Sequence, residues 1–545
     1  MNPPPQDQQM TLSNRPAFAE RLEAAYPACR RITPPETWKQ ILFVCAEDPR
    51  LESFPDKLSG RLQEFGLPDY FPELARLEWA QHETATSETV IPAEVDQQVV
   101  NPTLQVLQIE WKNLPSLLAA GPDEGLEPEA GEEIVLVWRH PKSGETKVST
   151  ASQEDLLIIK MIVEKIGSEE IAAEGQVPQA AVDAAVHRAL SKGLILGPSS
   201  RIRRSWVDTE PDASLDAFVS AQTFTLQWHI TQACDLHCKH CYDRSDSSPV
   251  TLGQGLHVLD ELVDFCRNKH VRGQVSFTGG NPLLHPHFFD LYQAAADRGL
   301  MIAILGNPTS RKKLQRMLDI QPLSFYQVSL EGLEAHNDDI RGAGHFTRVM
   351  EFLELLRDLN IPSKVMLTLT ENNVDQVLPL AEKLRNRTED FTFNRLSMVG
   401  EGANLRLPPL NKFTAFLKDY VTASRDNPVM GWKDNFINIL CHKNGTDLFG
   451  GCTGYGCGAA FNFVSLLPEG EVHACRKFPS PIGNIFERGL IDIYDSHTGE
   501  RYRQGPQECR ACPLYLVCRG CLAVAYSHGL NVFQQRDPYC FLVLP

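Results

Sequence analysis

Trp228-His229-Ile230-Thr231-Gln232-Ala233-Cys234-Asp235-Leu236-His237-Cys238-Lys239-His240-Cys241-Tyr242 is the stretch on which the reading of this chain turns. An apolar-leaning run from Phe224 to Ile230 ends there, and three cysteines follow at C-x3-C-x2-C spacing. Three thiolates complete a metal tetrahedron only if a fourth ligand arrives. On a cubane iron–sulfur cluster they hold three irons and leave the fourth open to a small molecule. A zinc knuckle, or three unrelated buried cysteines, could give the same spacing. The surrounding chain decides between them.

Downstream, Gly255–Lys269 reads as a helix with Leu256, Leu259, Leu262, Val263 and Cys266 apolar. Gln274–Thr278 is then a strand running into the turn Gly279-Gly280-Asn281-Pro282, where glycines let backbone approach a ligand closely. Strands are expected at Met301–Leu305, Tyr326–Leu330, Lys364–Thr370 and Phe391–Arg395. Helices at His287–Arg298, Thr347–Leu359 and Val374–Arg385, with a shorter segment at Lys312–Leu318, lie between them. Repeated βα units mean parallel strands, helices outside and functional loops at the strand C-termini.

Of 15 cysteines, eight crowd between Cys452 and Cys540. They run Cys452-x4-Cys457, Gly470-x4-Cys475, Cys509-x2-Cys512-x5-Cys518-x2-Cys521, and Cys540. A long chain without a secretory signal uses such thiols for metal, not for disulfides. Eight suffice for two fully ligated [4Fe–4S] clusters or for two structural zincs, and spacing does not separate the two. Of the others, Cys266 fits the apolar face of a helix, and Cys441 reads as a bystander beside the array.

The cysteine loop resembles that of the radical S-adenosylmethionine (SAM) enzymes, C-x3-C-x-Φ-C with an aromatic at Φ; here Φ is His240. In that family SAM chelates the open iron, and one electron yields a 5′-deoxyadenosyl radical. The resemblance implies that Cys234, Cys238 and Cys241 hold the catalytic cluster. It implies that the backbone of Gly279, Gly280, Asn281 and Pro282 receives the SAM amino group, although Asn281 stands where the family has Glu. Asn307, Ser329 and Arg341 (in Asp338-Asp339-Ile340-Arg341-Gly342) fall at its SAM contacts, with Thr368 or Leu369 flanking the adenosine. The C-terminal array resembles the SPASM extension, which by analogy assigns Cys452, Cys457, Cys475 and Cys521 to one auxiliary cluster. Cys509, Cys512, Cys518 and Cys540 fall to the other. The family gap before Cys521 is x3, whereas here it is x2, which puts that ligand in question. No acid/base residue is assignable, since Arg476 follows Cys475.

The N-terminal 200 residues read differently. Residues 1–14 are Pro/Gln-rich and expected to be disordered. A helical domain is expected over 15–100; its segment Tyr70–Ala80 resembles a small helical domain in partners of iron enzymes that modify ribosomal peptides. Within 101–205 come a strand at 101–111, an acidic Gly/Pro loop at 121–133 and a hairpin (Ile134–Trp138, Thr146–Thr150). Helices Glu154–Lys165 and Gln179–Lys192 and a closing strand at Leu194–Leu196 follow. That order suggests a winged-helix-like module, resembling leader-peptide recognition elements that add a peptide to a sheet edge. Arg201-Ile202-Arg203-Arg204 reads as the linker after it.

A net charge of −17 argues against bulk attraction to nucleic acid or anionic membrane. No run is long and apolar enough to span a bilayer, so the expected compartment is the cytoplasm. The fold expected is α/β: a partial (β/α)6 TIM-like radical SAM barrel at 220–430 and a SPASM domain at 431–545, preceded by the helical and winged-helix-like modules. The resemblance implies a SAM-cleaving enzyme acting on a ribosomally made precursor peptide, with an electron donor such as flavodoxin or ferredoxin. The full layout resembles the selenobiotic, thio(seleno)oxazole-type maturases, which points to thioether or heterocycle formation at Cys or selenocysteine. Two other readings stay open: an anaerobic sulfatase-maturase-like enzyme forming formylglycine, and a cluster-containing redox regulator binding DNA.

Overall fold

The computed structural model describes residues 15–119, 127–204 and 213–543. The tail 1–14 and residues 121–126 of the Gly/Pro loop lie outside the described residues. The chain forms two compact units, one up to residue 199 and one from residue 200 onward, with Pro178–Ala180 grouped with the second.

In the first unit, helix Phe71–Thr86 buries Phe71, Leu74, Ala75 and Leu77 on one face, with Pro72 in its first turn, where a missing N–H is harmless. Its Glu78 is also buried, and the carboxylate accepts the backbone N–H groups of Ala28 and Cys29. Those amides open helix Pro27–Ile32, which has no side-chain cap of its own. Glu78 therefore supplies the negative charge that a helix N-terminus favours, while burial raises its pKa.

Strands β1 (Val99–Val100), β2 (Gln105–Lys112), β3 (Glu129–Arg139), β4 (Thr146–Thr150) and β5 (Ile195–Leu196) complete the unit. The sheet order is β2-β3-β4, all antiparallel. Ile109, Val135 and Val137 of this sheet share one core with Trp38, Phe54 and Leu74 of the helices, so the packing crosses the boundary expected at residue 100. One expectation needs correction. The strand before the hairpin turn starts at Glu129, inside the expected acidic loop. The closing strand β5 pairs with β1 and not with the hairpin sheet; the two-residue β1 carries too little pattern to be seen in sequence. Short helices at Leu114–Ala119 and Ser168–Gly175 were also not expected.

The second unit is built on one nine-stranded sheet. Strands β6 (Thr223–Thr231), β7 (Arg272–Gly279), β8 (Met301–Leu305), β9 (Phe325–Ser329), β10 (Ser363–Leu369) and β11 (Asp390–Arg395) pair in sequence order, all parallel. Helices Leu252–Lys269, Phe288–Asp297, Arg311–Ile320, His345–Asp358 and Val377–Leu384 connect them. Thr251 and Gln254 form a capping box that starts the first of these helices. This is the six-strand partial barrel. Phe224, Leu226, Trp228 and Ile230 are buried; Gly255 lets the first helix close on Leu291 of the second. Gln227, His229 and Thr231, of opposite parity, face the other side of the sheet.

The C-terminal part is continuous with this sheet. Strand β12 (Phe463–Leu466) adds parallel to the outer edge of β6, and β13 (Glu471–His473) and β14 (Pro481–Asn484) follow antiparallel. Ser465 of β12 donates to Gln227 of β6 at 3.0 Å. The segment Arg201–Arg204 is not a linker: Ile202 and Arg204 are buried, and Arg203 bridges to Ser220. Among the described residues no helix is long and apolar enough to cross a membrane.

Candidate functional site

The loop carrying Cys234, Cys238 and Cys241 leaves β6 at Thr231, and three sets of side chains hold it. The first is the glycine turn at the end of β7. Gly280 and Asn281 donate backbone N–H to the Thr231 and Ala233 carbonyls, at 3.0 and 2.7 Å. Gly279 sits at φ +134°, and a Cβ on it would run into the Thr231 carbonyl; one on Gly280 would run into those of Gln232 and Ala233. The two glycines are therefore needed by the cysteine loop itself. With these amides engaged, an amine ligand would meet carbonyl acceptors there.

The second set centres on Asp235. Its Oδ1 accepts from Asn281 Nδ2 (3.0 Å) and Asn307 Nδ2 (2.6 Å), and Asn307 Nδ2 also lies 3.7 Å from Cys234 Sγ. Tyr326 Oη, buried, donates to the Asn307 carbonyl. Asn281 thus spends its side chain on the cysteine loop and on the Leu283 amide. Pro282 opens the short 3-10 turn that follows. The third set is a buried ion-pair group. Glu331 accepts from Arg341 (2.6 and 2.9 Å) and lies 3.4 Å from His240 Nε2. Arg341 Nη1 reaches Cys238 Sγ at 3.6 Å. Burial alone would raise the Glu331 pKa, but His240, Arg341 and the Thr368 amide outweigh it and hold it low. Burial lowers the His240 pKa. Ser329 ends β9 and is partly buried, but it touches none of these three sets through a hydrogen bond seen in the structure.

On the inner side, Asp243 pairs with Arg476 and accepts from Gln232 Nε2 at 2.8 Å. The Arg476 guanidinium lies 5.3 Å over the Tyr242 ring. His229 faces Tyr242, is 1% exposed, and has no partner at either ring nitrogen among the described residues. Burial, then the Arg476 charge, pushes its pKa down to about 3.

The eight C-terminal cysteines separate four and four. Cys452, Cys457, Cys475 and Cys521 line a cavity of about 560 Å³, whose wall includes Phe393, Asn394 and Arg395 of β11. Cys509, Cys512, Cys518 and Cys540 line a second, of about 330 Å³, with Arg519, Arg536 and Asp537. The short x2 gap is accommodated by two consecutive left-handed residues, Arg519 (φ 59°) and Gly520 (φ 61°). They turn the chain so that Cys518 and Cys521 face different cavities. Asp537 Oδ2 holds the Cys521 amide at 2.8 Å. Burial raises the thiols of Cys475 and Cys509 to about 12. Metal ligation, which needs thiolates, answers that penalty.

Iron–sulfur clusters fit these donor sets. Each quartet of thiols lines one cavity, and four cysteine thiolates are the ligand set of a [4Fe–4S] cluster. Residues 228–384 match the family model described as the radical SAM superfamily, and 457–521 match SPASM, an iron–sulfur cluster-binding domain. The chain is an enzyme that carries a radical SAM domain and a SPASM domain. Its cofactors are [4Fe–4S] clusters and SAM.

The enzyme is 29% identical over 336 residues to the mycofactocin maturase MftC of Mycolicibacterium smegmatis (58% of this chain, 82% of that protein). It is 26% identical over 346 residues to an AdoMet-dependent heme synthase of Methanosarcina barkeri (58% and 95%). To the antilisterial bacteriocin subtilosin biosynthesis protein AlbA of Bacillus subtilis it is 24% identical over 324 residues (56% and 67%). The solved structure of Streptococcus suis SuiB bound to precursor peptide SuiA superposes with TM-score 0.49 at 16% identity, covering 75% of this chain and 96% of that one.

Sequence reasoning missed Asp235, Glu331, Asp243 and His229 as parts of this site. Asp235 lies between two of the cysteines and Glu331 within the strand-end phrase around Ser329, so position alone was an available signal. His229 and Asp243 become visible only when the sheet brings Arg476 to them.

Proposed function

We propose that the enzyme modifies a ribosomally made precursor peptide, in the cytoplasm, by hydrogen abstraction. Cys234, Cys238 and Cys241 would hold the catalytic cluster, and the two cysteine quartets two auxiliary clusters. When bound, the catalytic cluster and SAM supply a 5′-deoxyadenosyl radical. Asn307, Asp235 and Asn281 fix the loop, and Arg341, held by Glu331, presents a cation beside Cys238 for the SAM carboxylate. The carbonyls of the Gly279–Gly280 turn would take its amino group, and Ser329 would meet the ribose.

The observation that carries the proposal is the division of eight cysteines between two cavities, the larger walled by the last barrel strand. An auxiliary cluster there would stand next to the barrel interior, where it could accept an electron from a substrate radical or bind a substrate thiolate. The peptide reading draws on the maturase and bacteriocin-biosynthesis relatives, and on β2 and β4, the edge strands of the first unit's sheet among the described residues. An edge strand with unpaired N–H and C=O groups can receive a leader peptide as an added strand. The finer reading is thioether or heterocycle formation at Cys or selenocysteine, with a flavodoxin or ferredoxin supplying electrons.

The test is anaerobic reconstitution with iron and sulfide, then dithionite and SAM. About twelve irons per chain, four per cluster, with 5′-deoxyadenosine formed, is the expected result. Mass spectrometry of a Cys-containing precursor peptide should show loss of hydrogens and a crosslink or ring. An aldehyde product would replace this reading with formylglycine formation.

A further inference from the structure

Arg204 and Arg519 lie side by side, 6% and 2% exposed, and share acceptors. Arg204 Nη2 donates to the carbonyls of Tyr455 (2.8 Å) and Cys457 (2.9 Å), and Arg519 Nη2 donates to the same two at 2.6 and 2.8 Å. Arg204 Nη1 takes the Arg503 carbonyl at 2.9 Å, and its guanidinium lies 3.8 Å over the Phe461 ring. Among the described residues neither cation has a carboxylate within ion-pair distance, and Arg204 Nε and Arg519 Nη1 have no partner. Guanidinium stays charged in proteins. Two like charges buried together on carbonyl dipoles and the Phe461 and Tyr515 rings are an arrangement that folding avoids unless an anion is near.

Among the thiols, that of Cys457 acts electrostatically on both guanidinium groups. Cys457 lines the larger cavity, and Arg519 lines the smaller while reaching the Cys457 carbonyl. Arg204 and Arg519 stand behind the wall of the larger cavity, whose own cations are Arg395, Lys433, which reaches the Cys452 carbonyl at 3.4 Å, and Lys477. Its one acidic wall residue, Asp434, is committed to Arg395. Four thiolates around a doubly positive iron–sulfur core leave two negative charges, and a third on reduction.

We propose that Arg204 and Arg519 are positioning residues of the centre held by Cys452, Cys457, Cys475 and Cys521, balancing its negative charge and setting its reduction potential. This rests on the assignment of a cluster to that quartet. It also gives a role to the basic segment Arg201–Arg204, which precedes the barrel by some twenty residues. The cations favour the more negative, reduced form, so neutralising either must make the centre harder to reduce.

The experiment uses the full chain with Cys234, Cys238 and Cys241 replaced by Ala, so that only auxiliary centres load, and follows reductive titration by EPR. Arg204→Gln and Arg519→Gln should each shift one auxiliary couple at least tenfold toward the oxidised form, about 59 mV for one electron. Arg204→Lys, which keeps the charge, should retain the wild-type potential. An unchanged potential in both Gln variants at full iron content would overturn the proposal. So would an Arg204→Lys variant shifted by about 59 mV or more, which also decides the matter if the Gln variants do not load. Zinc in place of iron and sulfide in the parent protein would instead overturn the cluster assignment itself.

Discussion

Replacing Arg395 with leucine should loosen the C-terminal cysteine array from the barrel. Arg395 ends β11 and is 2% exposed; its Nε bonds Asp434 Oδ2 at 2.7 Å, and its two Nη atoms bond both oxygens of Asp537 at 3.1 and 2.7 Å. Both carboxylates are buried. Asp537 in turn accepts the amides of Cys521 and Tyr539. Leucine fills part of the volume but leaves two carboxylates without a cation. Removing one partner of a buried pair costs ~3–5 kcal/mol, against a total stability of ~5–15 kcal/mol. At ~1.36 kcal/mol per decade, the opening equilibrium of this region should rise by roughly two to almost four orders of magnitude. The assay is native-state hydrogen exchange of the Cys521 and Tyr539 amides in the cluster-free protein, compared with amides in β8 as an internal control. The triple change Arg395→Met/Asp434→Leu/Asp537→Leu removes all three charges and should recover most of the loss. If Arg395→Leu changes exchange at Cys521 and Tyr539 by less than about tenfold, some 1.4 kcal/mol, the buried triad does not tie the array to the barrel.

Three further outcomes follow from the same geometry. Gly280→Ala places a Cβ against the Gln232 and Ala233 carbonyls; it should abolish deoxyadenosine formation and lower the iron content by about four per chain, and full activity would refute the glycine argument. Gly520→Val, at φ +61° and facing the Asp537 side chain, should disturb both quartets, leaving about four irons with SAM still bound; twelve irons would show that the turn tolerates a side chain. Burial lowers the pKa of His229 to about 3 and of His345 to about 4, Arg charges adding to the effect. A histidine with a depressed folded pKa contributes stability that is present above its unfolded pKa near ~6.5 and lost as pH falls toward the folded value. Urea midpoints of the cluster-free protein should therefore drop between about pH 6.5 and 4.5, by up to ~1.4 kcal/mol per pH unit for each histidine; His345→Gln should flatten the slope, and an unchanged slope would count against it.

The barrel was legible because each of its elements carries its own period. The strand at Met301–Leu305 matches the structure residue for residue, and the other barrel strands differ at their ends by one or two residues. Buried parallel strands read as short apolar runs, and helices between them as amphipathic stretches, without knowledge of their neighbours. The cysteine spacings were equally local. The first unit was harder: β1 and β5 are two residues each, and their pairing across nearly a hundred residues leaves no pattern in either.

The sequence by itself determined the α/β class, the three-cysteine loop, the glycine turn and the presence of eight C-terminal thiols, because spacing along the chain fixes what a loop or a repeating unit can do. Only the tertiary structure decided which thiols share a cavity, since Cys518 and Cys521 are three residues apart and part company at the left-handed turn Arg519–Gly520. It likewise decided that Asp235, Asn281 and Asn307 meet at one oxygen, that Arg395 is enclosed by Asp434 and Asp537, and that Arg204 is buried against Cys457. These are charge and hydrogen-bond partnerships between residues 39 to 253 positions apart in the widest cases, and such pairs have no period, only a place in space.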